Sequence, residues 1–321
     1  MAKYAIKRIA SSFMTLALVI CVVFLLLRQM PIEGYFNNFD KLTPSQIRFG
    51  LENLGLNSPI HIQLARFFKN TLKGDLGVSN KYRVNYPITK LIAQKTPVSL
   101  LFGLSALAFA VLVGLPLGIL MAKSAATLKG PKIADKAGSA FVTIIQSVPQ
   151  AVYHLFIQIY GTELVNRFTR LPLLYSADNP KTWILPIISL SLANMAMYAM
   201  WMRRYMVDES NKDYALLARA KGVSPSRISS KHVFRNAFVP LAQYIPTSLI
   251  LTLMGSLYVE SRYSIPGMGG LLVDAIKRQD NTLVQALVLV FTAVSILGVL
   301  VGDLAMAFID PRIKLSNGGV R

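Results

Sequence analysis

The sequence predicts an all-α, polytopic membrane protein with six transmembrane helices, and three observations predict it. Apolar residues fill 53% of the 321 positions and charged residues only 15%, more apolar surface than a water-soluble fold hides with ease. The apolar residues gather into six uncharged blocks of 19 to 25 residues, each long enough, at about 1.5 Å per residue, to cross a hydrocarbon core of about 30 Å. All 34 Lys and Arg lie outside those blocks. The net charge of +19 would otherwise suit nucleic acid, but the basic positions lack interleaved aromatic platforms, so no nucleic acid is expected as a partner. The single cysteine, Cys21, excludes a disulfide framework and a cysteine zinc site.

The first block, Ile9 to Leu27, follows Lys3, Lys7 and Arg8. A cleaved signal peptide is the rival reading; the apolar run is longer than a signal core, and Arg28 to Pro31 stand where a small-residue cleavage site belongs. The other blocks are 98–122, 140–160, 183–202, 240–259 and 283–302. Backbone groups at that depth must pair internally, which demands helices. Pro116, Pro149, Pro186 and Pro246 lie inside blocks and can bend them.

Loop 123–138 carries four Lys/Arg and loop 203–239 carries eight, against three each in 161–182 and 260–282. The positive-inside rule puts the first two loops, and both termini, in the cytoplasm. Residues 29–97 then lie outside; their nine Lys/Arg do not count against this, because the rule holds for short loops. Within this extracytoplasmic segment Pro44 and Ser45 can open a helix that Gly55 stops, and 60–72 has helical spacing.

No phosphate-cradling G-x-x-x-x-G-K-[ST] string occurs, so no ATPase site and no cofactor of its own are expected; His61, His154 and His232 make no metal pattern, and no serine-hydrolase set assembles. The chain reads as a non-enzyme. Ionisable groups inside spans are nearly absent. His154, with Gln146, Gln150 and Gln158, recurs at a four-residue spacing that places a polar stripe on one helical face, serving either helix–helix bonding or a hydrated pathway. Asp303 reads as structural, within reach of a neighbouring Lys or Arg.

Loop 203–239 carries the strongest local signal. Ser210 or Asn211 can cap a helix with Asp213 in its first turn, and Gly222 suits a left-handed stop; Ser224 and Pro225 then open a second helix. A basic connector resting on anionic lipid is the bland alternative.

The string DYALLARAKGVSPSRISSKHVFRNAFVP, Asp213 to Pro240, resembles the ATPase-engaging loop of ATP-binding-cassette importer permeases, in the oligopeptide, dipeptide and nickel branch. Ala218, Gly222, Arg235, Asn236 and Pro240 fall on its recurrent positions; Leu216 stands where other importer families have glutamate. Three further strings match in order: LGLNSPIHIQLARFFKNTLKGDLGVS (54–79), GSLYVESRYSIPGMGGLLVDAIKRQD (255–280) and IDPRIK (309–314). MPIEGY (30–35) departs, lacking the family's glycine after the proline.

The resemblance implies the type I importer permease fold and a bacterial inner membrane. It implies as partners a second permease subunit, two ATPase subunits that use ATP and Mg²⁺, and an extracytoplasmic substrate-binding protein, with peptide as cargo. Asp213, Tyr214, Ala218, Arg219, Ala220, Lys221, Gly222, Arg235 and Asn236 become the expected coupling residues; Gln146, Gln150, His154 and Glu260 are the pathway candidates. Glu260 either meets a peptide ammonium group or pairs with Arg262. The alternative from another class, an ion-gradient-driven secondary carrier, calls for buried acidic groups or broken-helix repeats.

Overall fold

The computed structural model describes residues 2–126, 131–168, 172, 174–242, 244–251 and 256–309. The chain begins with α1 (Ala2–Leu27) and a 3₁₀ turn, Ile32–Tyr35. Next come α2 (Pro44–Asn53), α3 (Ile60–Leu72) and a two-residue hairpin pairing Val78 with Pro87. Helix α4 (Ile88–Ala125) is the longest; α5 (Ile133–Ser147) follows, then α6 (Gln150–Phe156), which runs through a π turn into α7 (Thr162–Asn166). The chain continues with α8 (Ile184–Ser210), α9 (Asp213–Ala220), α10 (Pro225–Arg227), a second π turn, and α11 (Phe234–Ala242). It ends with α12 (Tyr244–Leu251), α13 (Leu257–Tyr263), α14 (Met268–Lys277) and α15 (Asn281–Ile309).

Among the described residues four stretches are long and apolar enough to cross a membrane: 6–27, 88–125, 180–210 and 281–305. The pair α5 and α6–α7, bent by 110°, reaches that length and apolarity only when its two arms are taken together, as a broken span or a re-entrant loop. The expected third block, 140–160, is therefore not a straight rod. Pro149 has no N–H to give and drives the preceding residue out of the helical region, and Val148 is extended at φ −85°, ψ 129°. Pro116 and Pro186 sit within continuous helices. The fifth block, 240–259, falls on α11, α12 and the start of α13; 243 and 252–255 lie outside the described residues, as does IDPRIK beyond Ile309.

Helices α4 and α8 form the centre of the fold. They approach so closely that a Cβ on Gly114 would stand 2.7 Å from the Met195 carbonyl oxygen, and one on Gly118 2.5 Å from that of Ala199. Gly114 and Gly118 form a G-x-x-x-G pair, the spacing that lets membrane helices touch backbone to backbone. Tyr198, Met202 and Met206 of α8 pack there with Leu107 and Ala110 of α4.

The two termini of α15 are tied separately. At its start Asp280, fully buried, accepts on Oδ2 from Ser79 Oγ (2.6 Å) and from the amides of Asn80, Lys81 and Tyr82 (2.9–3.0 Å), while Oδ1 accepts the Leu283 amide at 3.1 Å as a helix cap. Two of the recognised strings, 54–79 and 255–280, thus meet at one carboxylate. Asn281 donates to the Pro31 carbonyl at 2.7 Å, bringing the divergent MPIEGY turn onto the same corner. At the other end Asp303 pairs with Arg8 of α1 at 3.1 Å.

In the 29–97 segment α2 and α3 occupy the expected places. Pro44 opens α2 as expected, capped by Thr43, whose side chain accepts from the Gln46 amide in a reciprocal box; Gly55 takes φ +68° just after the helix.

Candidate functional site

The unit around α9 is anchored on one face and open on the other. Ala215 is fully buried, and with Ile228, Val233, Ala237 and Leu241 it joins the Met202–Met206 cluster of α8. Ala218 packs against the same cluster. Leu216 and Leu217 are 49% and 56% exposed, and Arg219, Ala220 and Lys221 are exposed beside them.

The start of α9 corrects the expected cap. Lys212 occupies that position without capping the helix through its side chain, and the Ser210 hydroxyl donates back to the Met206 carbonyl at 2.6 Å instead. Glu209 organises the junction: its carboxylate accepts from the Tyr214 hydroxyl at 2.5 Å and pairs with Lys212 at 2.5 Å. The Asn236 side chain acts on the same Tyr214 hydroxyl, which brings together two of the residues expected to couple. Burial, and then the Glu209 carboxylate, push the Tyr214 hydroxyl up from its ordinary value. The bond to Glu209 likewise raises the Lys212 ammonium. Gly222 stops the helix at φ +74°, with no atom within 4 Å of where a Cβ would point. Arg235 is exposed on α11.

The pathway candidates separate. Gln146 lies in the last turn of α5 and Gln150 begins α6, so the 110° corner puts them on different arms, and both are exposed. The expected single stripe is broken there. His154 and Gln158 stay together, buried, on the second arm. His154 Nδ1 and Ser189 Oγ of α8 share a hydrogen bond of 2.7 Å; Gln158 donates to the Arg262 carbonyl at 2.6 Å and accepts from Arg262 Nε at 3.1 Å. These bonds lock the bent arm against α8 and α13.

Glu260 does not pair with Arg262, which is turned to Gln158. Its carboxylate is 1% exposed. Oε1 accepts from Ser99 Oγ (2.8 Å) and the Ser256 amide (3.3 Å), and Oε2 from the amides of Gly269 (2.7 Å) and Gly270 (3.1 Å). The glycines are required: a Cβ on Gly267 would stand 2.3 Å from Glu260 Oε2, and one on Gly269 2.6 Å from the Ser256 carbonyl carbon. Ser99 also accepts the Met268 amide at 2.7 Å. Sequence reasoning singled out neither Ser99 nor Ser189, because an isolated serine in an apolar run has no spacing to mark it.

The chain is similar to known proteins along most of its length. Residues 114–315 match the family model described as binding-protein-dependent transport system inner membrane component, and residues 1–103 match the N-terminal model for the membrane component of such systems. The chain is 34% identical, over 98% of its length and all of the relative's, to the dipeptide transport system permease protein of Lactococcus lactis subsp. cremoris. It is 32% identical, over 98% of its length and 99% of the relative's, to the glutathione transport system permease protein of Salmonella paratyphi A. The oligopeptide transport system permease protein of Streptococcus pneumoniae is 35% identical over 73% of this chain and 45% of its own length.

Proposed function

We propose, since the chain belongs to the family of inner-membrane components of binding-protein-dependent transport systems, that it builds half of a peptide-import pathway and receives its drive through α9. Family membership makes it a multi-pass permease subunit of an ATP-driven importer, working with ATPases, a second permease and a substrate-binding protein. An ion-gradient carrier has no support in that family. The finer reading adds six spans in the type I importer arrangement, with α9 and both termini cytoplasmic, 29–97 outside, two ATPase subunits, and di- or oligopeptides as cargo.

The observation that carries it is the two-faced α9 unit, with Ala215 buried and Leu216, Leu217 and Arg219 exposed. A rigid anchor with an uncovered face is what a partner's conformational change needs in order to reach the spans. Peptide cargo draws support from the relatives named for dipeptide, oligopeptide and glutathione transport. The test is reconstitution of the chain with its genomic neighbours. ATP-dependent uptake of di- or oligopeptide by proteoliposomes is expected, with loss of ATPase co-purification in Leu216→Asp/Leu217→Asp; retained co-purification would overturn the docking role of α9.

A further inference from the structure

Between α4, α8, α12 and α13 the interior opens into a pocket of about 180 Å³, lined among others by Ser99, Gly103, Asn194, Ser248, Ser256 and Glu260. That is well above the roughly 10–15 Å³ of probe-occupied space that one water needs. Asn194 lies ten residues into α8, about 15 Å along the helix, near the middle of a membrane-sized element.

The polar groups around the pocket are not equally engaged. Glu260 is saturated by the four donors described above, and Ser99 is held between Glu260 and the Met268 amide. Ser256 Oγ accepts the Val259 amide at 3.3 Å, as a cap for α13. Ser248 receives the Tyr198 hydroxyl at a long 3.4 Å, and the Asn194 side chain has no hydrogen-bond partner among the described residues. A half-buried amide without a partner at that depth is costly unless something polar comes to meet it.

We propose that this pocket is a substrate subsite in which Asn194 and Ser248 bind the backbone amide groups of the passing peptide. The proposal rests on the import function inferred above and assigns residues to it. An asparagine amide offers one acceptor oxygen and two donor hydrogens, complementary to the C=O and N–H of a peptide unit. The acceptor sites of the Glu260 carboxylate are taken by its own neutral donors, so it has no hydrogen-bonding oxygen left to hold an incoming group. Recognition here is of neutral amides common to every peptide, and it does not depend on the terminal ammonium group.

The test uses the whole importer in proteoliposomes, with free and N-acetylated tripeptides. Asn194→Leu keeps side-chain size and removes the amide; import of both peptides is expected to fall roughly tenfold, the loss of about one good hydrogen bond, while subunit assembly and peptide binding by the isolated binding protein stay unchanged. Undiminished import overturns the subsite, and a loss confined to free N-termini overturns the neutral-amide assignment. If the leucine variant fails to assemble, Asn194→Cys in a Cys21→Ala background decides the matter. A membrane-impermeant thiol reagent is expected to modify it and saturating tripeptide to slow the modification; no modification, or none that peptide slows, overturns the subsite. A wild-type complex that imports no peptide overturns the functional reading itself, which is a distinguishable failure.

Discussion

Asp280 shows how much one side chain can settle. Five donors converge on its carboxylate, four of them on a single oxygen, so neither a truncated nor an amide side chain can replace it. An asparagine would turn an N–H₂ towards the Leu283 amide or towards the Ser79–Tyr82 cluster, donor against donor. Asp280→Ala is expected to destabilise the protein by about 3 kcal/mol, because buried amides lose a charged acceptor, and Asp280→Asn by less but in the same direction; thermal inactivation in detergent measures both. Ser79 and Asp280 each stand in a recognised string, yet no spacing rule joins residues 201 positions apart. The sequence therefore exposed both halves of the clamp and not the clamp.

At the scale of elements, α9 was legible because its boundaries are written in local chemistry: an acidic first turn at Asp213, Gly222 at the stop, and Pro225 at the next start. Gly222→Val meets no steric obstacle, since nothing lies within 4 Å of the added Cβ. The left-handed backbone alone opposes it, at about 1–2 kcal/mol. The variant is expected to insert normally while ATP hydrolysis no longer drives uptake in reconstituted vesicles; wild-type coupling would remove Gly222 from the lever. The break at Pro149 was less legible, because a proline inside a membrane helix need not break it, as Pro116 shows within continuous α4. The Gly114–Gly118 contact is written in the sequence as a G-x-x-x-G spacing, but that spacing does not say which helix lies against it. Gly118→Val should force α4 and α8 apart at a cost of about 2 kcal/mol, seen as lower thermal stability of the purified protein.

For the molecule as a whole, the apolar blocks and the Lys/Arg asymmetry gave the membrane class and an orientation, while side-chain partnership across the bundle lay beyond any one-dimensional pattern. The orientation is tested with single cysteines in a Cys21→Ala background. Ser226 is exposed in the α9 unit, and Leu72 is 85% exposed at the end of α3, whereas Ser79 is sealed against Asp280. Ser226→Cys and Leu72→Cys should react with an impermeant thiol reagent from the inner and outer faces respectively; reaction of both from one face would overturn the arrangement.

The Asp280 clamp also sets an order on manufacture. Residues 79–82 leave the ribosome some two hundred residues before their acceptor, so through most of synthesis the three amides and the serine hydroxyl wait unsealed. A chain released before residue 280 never receives that carboxylate, nor the Asn281 bond that fastens the Pro31 turn. The unsealed corner distinguishes a truncated permease from a finished one, and it exposes in the unfinished chain the kind of loose, polar backbone that quality-control proteases grip.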